Sequence, residues 1–168
     1  MAAISIPCPW PAPSVVVKVR GLLRAAEEFL ADSPADVGHY EPLVKGLRLG
    51  DFEGDTLLHA DLHAGNLLVG RGNARVVDWS LACRGAPWAD ITLLIPRLID
   101  AGHTPAQAEQ VASRVPAWDS APADTITALA ATRALFAARM AGVGPAHLRA
   151  RRLRTAAACQ AWVEYRTG

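Results

Sequence analysis

Apolar residues recur at helical spacing along most of this chain, and one central stretch interrupts them. Ser14 can cap a helix whose apolar stripe continues through about Ala31. Ser33-Pro34 has the usual order of a cap followed by a first-turn proline, which predicts a second helix that ends before Gly50. We therefore expect two neighbouring helices before the pattern changes.

Helical spacing returns after Pro87 and continues to the end of the chain. The helices expected there are 88–101, closed by Gly102, then one opened by Thr104-Pro105, then the alanine-rich 122–141, and finally 145–165. Residues 1–13 contain four prolines, which exclude a regular helix. We interpret 1–13 as an extended lead-in to a single domain over 14–168.

The central interruption has the spacing of strands. Two short apolar runs, 67–69 and 75–77, flank turn-forming residues at 70–73. We expect these runs to form a small hairpin. The predicted fold class is α+β and predominantly helical, with the polar residues crowded around this one hairpin.

Composition and charge narrow the classes of partner. The 168 residues are 51% hydrophobic and 20% charged. No apolar run approaches the ~18 residues that a membrane span needs, so no membrane partner is expected. The net charge of +1 gives no general case for nucleic acid. Cys8, Cys83 and Cys159 form no CxxC pair, and we interpret them as small apolar residues in a reducing, cytoplasmic location.

Basic residues are concentrated near the carboxyl end, where residues 145–168 carry five Arg against one Glu. Arg149, Arg151, Arg152 and Arg154 would spread around a helix at ~100° per residue and make no single stripe. We interpret them as a solvated helix surface with salt bridges rather than as a patch for anions or nucleic acid.

Candidate chemistry lies between Leu58 and Asp78. Asn66 follows Asp61 by five residues, and Asp78 follows Asn66 by twelve. Phosphoryl transfer from ATP needs a carboxylate that orients the acceptor hydroxyl, and it needs oxygen ligands for the Mg²⁺ that bridges the phosphates. A tight loop followed by a hairpin would bring these three side chains together. We expect them to lie close enough to share one metal ion.

The same segment resembles the aminoglycoside phosphotransferase family, which has a protein-kinase-like fold. The matching motifs are His59-x-Asp61-Leu-His63-x-Gly65-Asn66-Leu-Leu-Val, then Val-Val-Asp78-Trp, then Gly85-x-Pro87-x2-Asp90. Protein kinases would have Arg before the catalytic Asp and Phe-Gly after the metal-binding Asp, where this chain has Ala60 and Trp79. The resemblance implies a kinase-like carboxyl-terminal lobe in which the hairpin carries the catalytic and metal loops.

Carried over residue by residue, the resemblance also implies roles. Asp61 would be the catalytic Asp, while Asn66 and Asp78 would bind Mg²⁺. The residues expected to support the loop are His59, His63, Gly65 and Asp90. ATP would be the phosphoryl donor, and the acceptor would be the hydroxyl of an aminoglycoside, an amino alcohol or a sugar.

Complete members of this family have an amino-terminal lobe with a glycine-rich cover and a Lys over the phosphates. No glycine-rich loop precedes Asp61 here. Lys18 lies in a Val-Val-Val-Lys-Val run, but no strand pair accompanies it as the phosphate-binding Lys would require. We therefore expect a truncated chain with low or no activity by itself, and an exposed apolar lobe interface that promotes self-association.

Two other functions remain open from the sequence. An inactive kinase-like remnant or binding module would keep the same motifs without turnover. A metallohydrolase would use His59, Asp61 and His63 as ligands of zinc or manganese, although this leaves Asn66 and Asp78 unexplained.

Apolar residues around a polar site should keep it rigid. The six expected to be buried here are Leu58, Leu62, Leu67, Val69, Val76 and Ile91. His59 should be buried as well, with a hydrogen bond to backbone or to a carboxylate such as Asp90.

Overall fold

The computed structural model describes residues 7–143 and 145–168, with the backbone alone at positions 34 and 36. Within these residues the α-helices are α1 Val15–Asp32, α2 Pro34–Val37, α3 Glu41–Lys45, α4 Ala89–Asp100, α5 Pro105–Ala112, α6 Ala123–Gly142 and α7 Ala146–Thr167. None of the helices described is long and apolar enough to cross a bilayer. The fold is α+β and mainly helical, as predicted.

Short strands in the described residues form two separate antiparallel pairs. The strands are β1 Thr56–Leu58, β2 Leu67–Gly70, β3 Asn73–Val76 and β4 Cys83–Gly85. β2 pairs with β3, and this is the expected hairpin, with Leu67 opposite Val76. β1 pairs with β4, which was not predicted. β4 has only three residues and a central Arg84, so no local pattern distinguishes it from a loop.

The region between α1 and β1 is where the helix predictions are wrong. Instead of one second helix ending before Gly50, the short helices α2 and α3 are separated by the 3-10 turn Gly38–Tyr40. Another 3-10 turn, Leu49–Phe52, precedes β1. Gly38 and Pro42 explain the break, because glycine is a weak helix former and proline cannot donate to the preceding turn.

The other predicted helices are present, with small shifts at their ends. Ser14 caps α1, since its Oγ accepts the N–H of Val16 at 3.2 Å. Thr104 and Gln107 form a reciprocal capping box at the start of α5. Gly102 follows α4 with a φ of 104°, a conformation that suits glycine. Local signals were sufficient at these ends because each cap is made by neighbouring residues.

The apolar interior consists of two adjoining clusters. One lies among the helices and includes Leu135 and Trp162. The other surrounds β1 and β4 and includes Phe52 and Trp88, whose ring centroids are 4.8 Å apart. α1, α4 and α6 contribute side chains to both clusters. The segment that follows β1 is therefore supported by the helical core.

The proline-rich segment before α1 lies against the β1–β4 pair. Cys8 N donates to Asp55 O at 2.7 Å, and Arg84 N donates to Pro13 O at 2.9 Å. Residues 7–13 contain no helix, in agreement with the expected extended lead-in, whereas 1–6 lie outside the described residues. This segment extends the pairing at the edges of the small sheet.

Gly85 of β4 occupies a position where a side chain has no room. A Cβ there would lie 2.9 Å from Leu58 Cδ1 and still closer to Val15 Cγ1. We expect Gly85→Ala to lower the free energy of unfolding by about 1–3 kcal/mol, the usual effect of overpacking, as measured by urea unfolding.

Gly21→Ala is the matched control. Gly21 is exposed in α1, and a Cβ at this position would have no atom within 4 Å. Alanine favours helix by up to about 1 kcal/mol, so this variant should gain stability. Equal effects of the two substitutions would contradict the packing described at Gly85.

Candidate active site

A carboxylate from α4 fixes the backbone that precedes Asp61. Asp90 Oδ2 accepts the N–H of His59 at 2.7 Å, and Oδ1 accepts that of Ala60 at 2.7 Å. Ala60 has a φ of 61°, which non-glycine residues rarely adopt, and the two hydrogen bonds compensate for this strain. Burial raises the pKa of Asp90, while the two backbone hydrogen bonds oppose that shift. This geometry supports the anchoring role expected of Asp90.

His59 links the loop of Asp61 to the segment that precedes Asp78. His59 is 1% exposed, and its Nε2 lies 2.9 Å from Val77 O. Its Nδ1 accepts the N–H of Asp61 at 3.3 Å, so the ring proton belongs on Nε2, which donates to Val77. The ring also packs edge-on against Trp79, with centroids 4.9 Å apart. Both ring nitrogens are occupied, which makes His59 a loop support.

The occupied imidazole argues against the metallohydrolase hypothesis, which required His59, Asp61 and His63 as ligands. His63 Nδ1 is also engaged, because it accepts the N–H of Gly65. In the part of the chain that the structure describes, no three His, Cys, Asp or Glu side chains are grouped to hold a metal ion. The geometry therefore disfavours a zinc or manganese hydrolase site.

His63 and Gly65 shape the turn that follows Asp61. The 3.0 Å hydrogen bond from Gly65 N to His63 Nδ1 caps the 3-10 turn Ala64–Asn66. A Cβ on Gly65 would lie 2.9 Å from His63 Cε1, so a larger residue would displace the ring. With Nδ1 as acceptor, His63 Nε2 carries the proton and lies 3.7 Å from Asp61 Oδ2. An N–H group thus stands beside the candidate catalytic carboxylate.

Asn66 connects the two ends of the loop. It is 6% exposed, and its Nδ2 donates to the main-chain oxygen of Asp61 at 3.1 Å. Its own main-chain oxygen accepts the N–H of Val77 at 3.0 Å. The side-chain oxygen of Asn66 is the atom left for a cation. The Asp61 side chain is 36% exposed, so its carboxylate is accessible to a substrate.

Asp78 follows the hairpin in a left-handed conformation, with φ 59° and ψ 66°. Ser80 Oγ donates to its Oδ1 at 2.7 Å. This bond and one from the Ser80 backbone lower the pKa of Asp78, and His59 and His63 act in the same direction. The exposed carboxylate is therefore ionised at neutral pH, as a cation ligand must be.

One hydrogen-bond network joins the three segments that carry Asp61, Asn66 and Asp78. Val77 lies at its centre, because its O accepts from His59 and its N donates to Asn66. The structure thus brings the three segments together at one end of the hairpin. That the three side chains share one metal ion stays a prediction.

Sequence reasoning considered Lys18 only as a phosphate-binding lysine and missed its contact with the loop. Lys18 lies on α1 rather than on a strand, and its Nζ donates to the main-chain oxygen of Ala60. Partial burial lowers the pKa of Lys18, whereas the charge of Asp61 opposes that shift. The strained residue before Asp61 is thus bound by Lys18 at its carbonyl and by Asp90 at its N–H. The one sequence signal was a charge within an otherwise apolar run at 15–19.

The apolar surroundings of the loop are less buried than predicted. Leu58 and Ile91 are buried, but Val69 is 81% exposed, so the prediction for Val69 is wrong. Burial along the hairpin decreases from half-buried Leu67 and Val76 at its base to exposed residues at its turn. The half-buried set is Leu62, Leu67 and Val76. The reason is a cavity of about 840 Å³, which these side chains line instead of packing against α4.

Comparison with known proteins is consistent with this geometry. Residues 47–124 match the sequence model of the phosphotransferase enzyme family. The matched segment contains β1, the loop with Asp61, the hairpin and α4. No curated protein and no solved structure gives a significant match to the chain.

The Asp90 contact can be tested by unfolding. Asp90→Ala would leave the N–H groups of buried His59 and Ala60 without their acceptors. We expect the free energy of unfolding to fall by about 2–4 kcal/mol, since each unsatisfied buried donor costs about 1–3 kcal/mol. Asp90→Asn keeps one acceptor, so its loss of stability should be smaller than that of Asp90→Ala. Exposed Asp119→Ala is the control, and a loss no larger than the control's would exclude the anchoring role.

The solvent accessibility of the apolar cluster beneath the loop, which contains Ala60 and Cys83, can be tested with the cysteines. Cys8, Cys83 and Cys159 are free thiols, and the last two are buried, as their interpretation as apolar residues predicted. Burial and then the charge of Asp90 raise the pKa of Cys83 to about 11. Because the thiolate is the reactive form, we expect Cys83 to resist iodoacetamide at about pH 8 while Cys8 reacts first.

Mass spectrometry of quenched samples would follow this labelling. The same reaction in urea should modify all three thiols, which controls for reagent access. Equal rates at Cys8 and Cys83 in the folded protein would show that solvent reaches the space beneath the loop.

Proposed function

We propose that this chain, in which residues 47–124 match the sequence model of the phosphotransferase enzyme family, carries the catalytic loop of an ATP-dependent small-molecule phosphotransferase. The γ-phosphate would pass to a hydroxyl of an aminoglycoside, an amino alcohol or a sugar. The observation that supports this most is the hydrogen-bond network through Val77, which joins the segments of Asp61, Asn66 and Asp78.

Asp61 orients the acceptor hydroxyl and receives its proton. As the hydroxyl oxygen forms a bond to the γ-phosphorus, the bond from that phosphorus to the ADP oxygen breaks, and ADP leaves. The exposed carboxylate is accessible to a substrate, and His63 Nε2 lies 3.7 Å from its Oδ2. Lys18 and Asp90 fix the backbone on either side of Ala60, so the position of Asp61 is set before the substrate binds.

Asn66 and Asp78 are the residues that would hold Mg²⁺. One ionised carboxylate and one amide oxygen form a hard-oxygen donor set, which suits Mg²⁺ completed by waters and substrate phosphates. Bound there, the ion would neutralise charge on the phosphates. The lowered pKa of Asp78 keeps this ligand ionised over the physiological range.

The hairpin exposes apolar side chains next to the loop. Leu68 is 57% exposed and its neighbour Val69 81%, and because they are consecutive on β2 they lie on opposite sides of the hairpin. We interpret this exposed end of the hairpin as the contact surface for a nucleotide-covering lobe. Without such a lobe, the triphosphate would be bound from one side only, and misalignment of ~1 Å can lower the rate about a hundredfold.

An ATP-consumption assay with a panel of aminoglycosides and amino alcohols tests the proposal. The 168-residue chain should show little or no turnover. In a chain extended by an amino-terminal nucleotide-binding lobe, turnover should be measurable, and Asp61→Asn should lower kcat by about 10²–10⁴-fold. Nucleotide affinity should be unchanged in Asp61→Asn, whereas Asp78→Ala should also weaken Mg²⁺-dependent nucleotide binding.

Exposed Asp119→Ala is the matched control and should retain full turnover. Turnover that survives Asp61→Asn would contradict the assigned chemistry. Strong turnover by the 168-residue chain, lost in Asp61→Asn, would support the chemistry but refute the need for a covering lobe. Nucleotide binding without turnover in the extended chain would favour an inactive binding module.

A further inference from the structure

A second cavity, of about 310 Å³, lies among α4, α6 and α7. Four arginines from these three helices line it: Arg97, Arg133, Arg151 and Arg152. Much of the remaining wall is apolar, including Phe136 and Met140. None of the lining residues belongs to the loop or hairpin of the candidate active site.

No carboxylate among the described residues lines this cavity, although the charge of Asp61 acts on Arg133 from outside it. The ion pairs formed by the described residues include none of the four arginines. Asp100 on α4 instead contacts Arg154, which lies outside the lining, at 3.5 Å. Guanidinium groups grouped around a partly apolar volume repel one another, and an anion would remove that repulsion.

Hydrogen bonds to helix carbonyls fix two of the four guanidinium groups. Arg133 donates to Leu93 O at 2.7 Å, which ties α6 to α4. Arg152 donates to Met140 O at 3.1 Å, near the end of α6, where carbonyls lack helical partners. Burial lowers the pKa of Arg133, and the charge of Arg97 adds to that shift. These two side chains are therefore in place before any ligand arrives.

The other two arginines retain unused donors. Arg97 and Arg151 form no hydrogen bond through their side chains to any residue in the described ranges. A guanidinium carries five N–H donors in a plane that matches the paired oxygens of a carboxylate or phosphate. The cavity thus combines two fixed cations with two cations that are free to bind an oxyanion.

We propose that this cavity binds a small organic anion, with its phosphate or carboxylate group paired to the arginines and its apolar part against Phe136 and Met140. Small-molecule sites span about 300–1,000 Å³, so this volume suits a ligand of metabolite size. A polyanion would instead need an extended basic stripe. Arg149 and Arg154 of α7 do not line the cavity, so no such stripe runs along that helix.

Isothermal titration calorimetry on the 168-residue chain tests the proposal with four probes. The probes are phenyl phosphate, benzoate, inorganic phosphate as a headgroup alone, and neutral benzyl alcohol as an apolar body alone. We expect one-site binding of phenyl phosphate or benzoate with Kd below about 1 mM, weakened by salt. Benzyl alcohol should bind at least about tenfold more weakly, and the stronger of the two anions identifies the headgroup.

Variants locate the bound anion. Arg97→Gln and Arg151→Gln should each weaken binding about tenfold, as expected for the loss of a charge-assisted hydrogen bond. Neither side chain supports the fold through a hydrogen bond, and far-UV circular dichroism would verify folding. Arg149→Gln removes an exposed charge from the same helix without touching the cavity and should leave Kd unchanged.

Three outcomes would overturn the proposal. The first is no saturable anion binding up to about 10 mM, a range in which even weak sites are detected. The second is equal weakening by Arg149→Gln and Arg97→Gln, which would indicate a general charge effect. The third is unchanged binding in both Arg97→Gln and Arg151→Gln, which would place the anion outside this cavity. This site does not depend on the proposed phosphotransferase activity, so the two proposals can fail separately.

Discussion

The carboxylate of Asp90 is the contact on which the candidate active site depends. It joins the first turn of α4 to the backbone of His59 and Ala60. Those bonds place His59 so that its ring reaches Val77 across the site. A chain of contacts thus runs from the helical core through one half-buried acid to both loops of the site. The polar constellation is positioned by α4, while its own residues contribute few apolar contacts.

Features of the fold made by neighbouring residues could be predicted from the sequence. The cap of Ser14 and the β2–β3 hairpin are of this kind, and the spacing of Asp61, Asn66 and Asp78 indicated that their segments meet. Features made by residues distant in the chain could not. β4 is defined by its pairing with β1. The role of Lys18 depends on its contact with the main-chain oxygen of Ala60, 42 residues further along the chain. No local pattern carries either relation.

The cavity lined by arginines of α7 is another feature that depends on residues distant in the chain. On one helix, Arg151 and Arg152 read as part of a dispersed, solvated surface. Packing adds Arg97 from α4 and Arg133 from α6, and the four then line one cavity. A binding site assembled from three helices has no signature on any of them. Val69 is the converse case, since its place beside the polar site predicted burial, but the helices do not cover the outer part of the hairpin.

The hairpin has a mechanical consequence. It is bound to the body at its base, where Val77 is fixed on one side by His59 and on the other by Asn66, while its turn is exposed. Val77 is therefore the point at which the exposed hairpin is attached to the rest of the structure. Asp78 is the next residue, and His59 and Asn66, which bind Val77, also hydrogen-bond the backbone of Asp61. A displacement of the base of the hairpin would therefore change the positions of both carboxylates together.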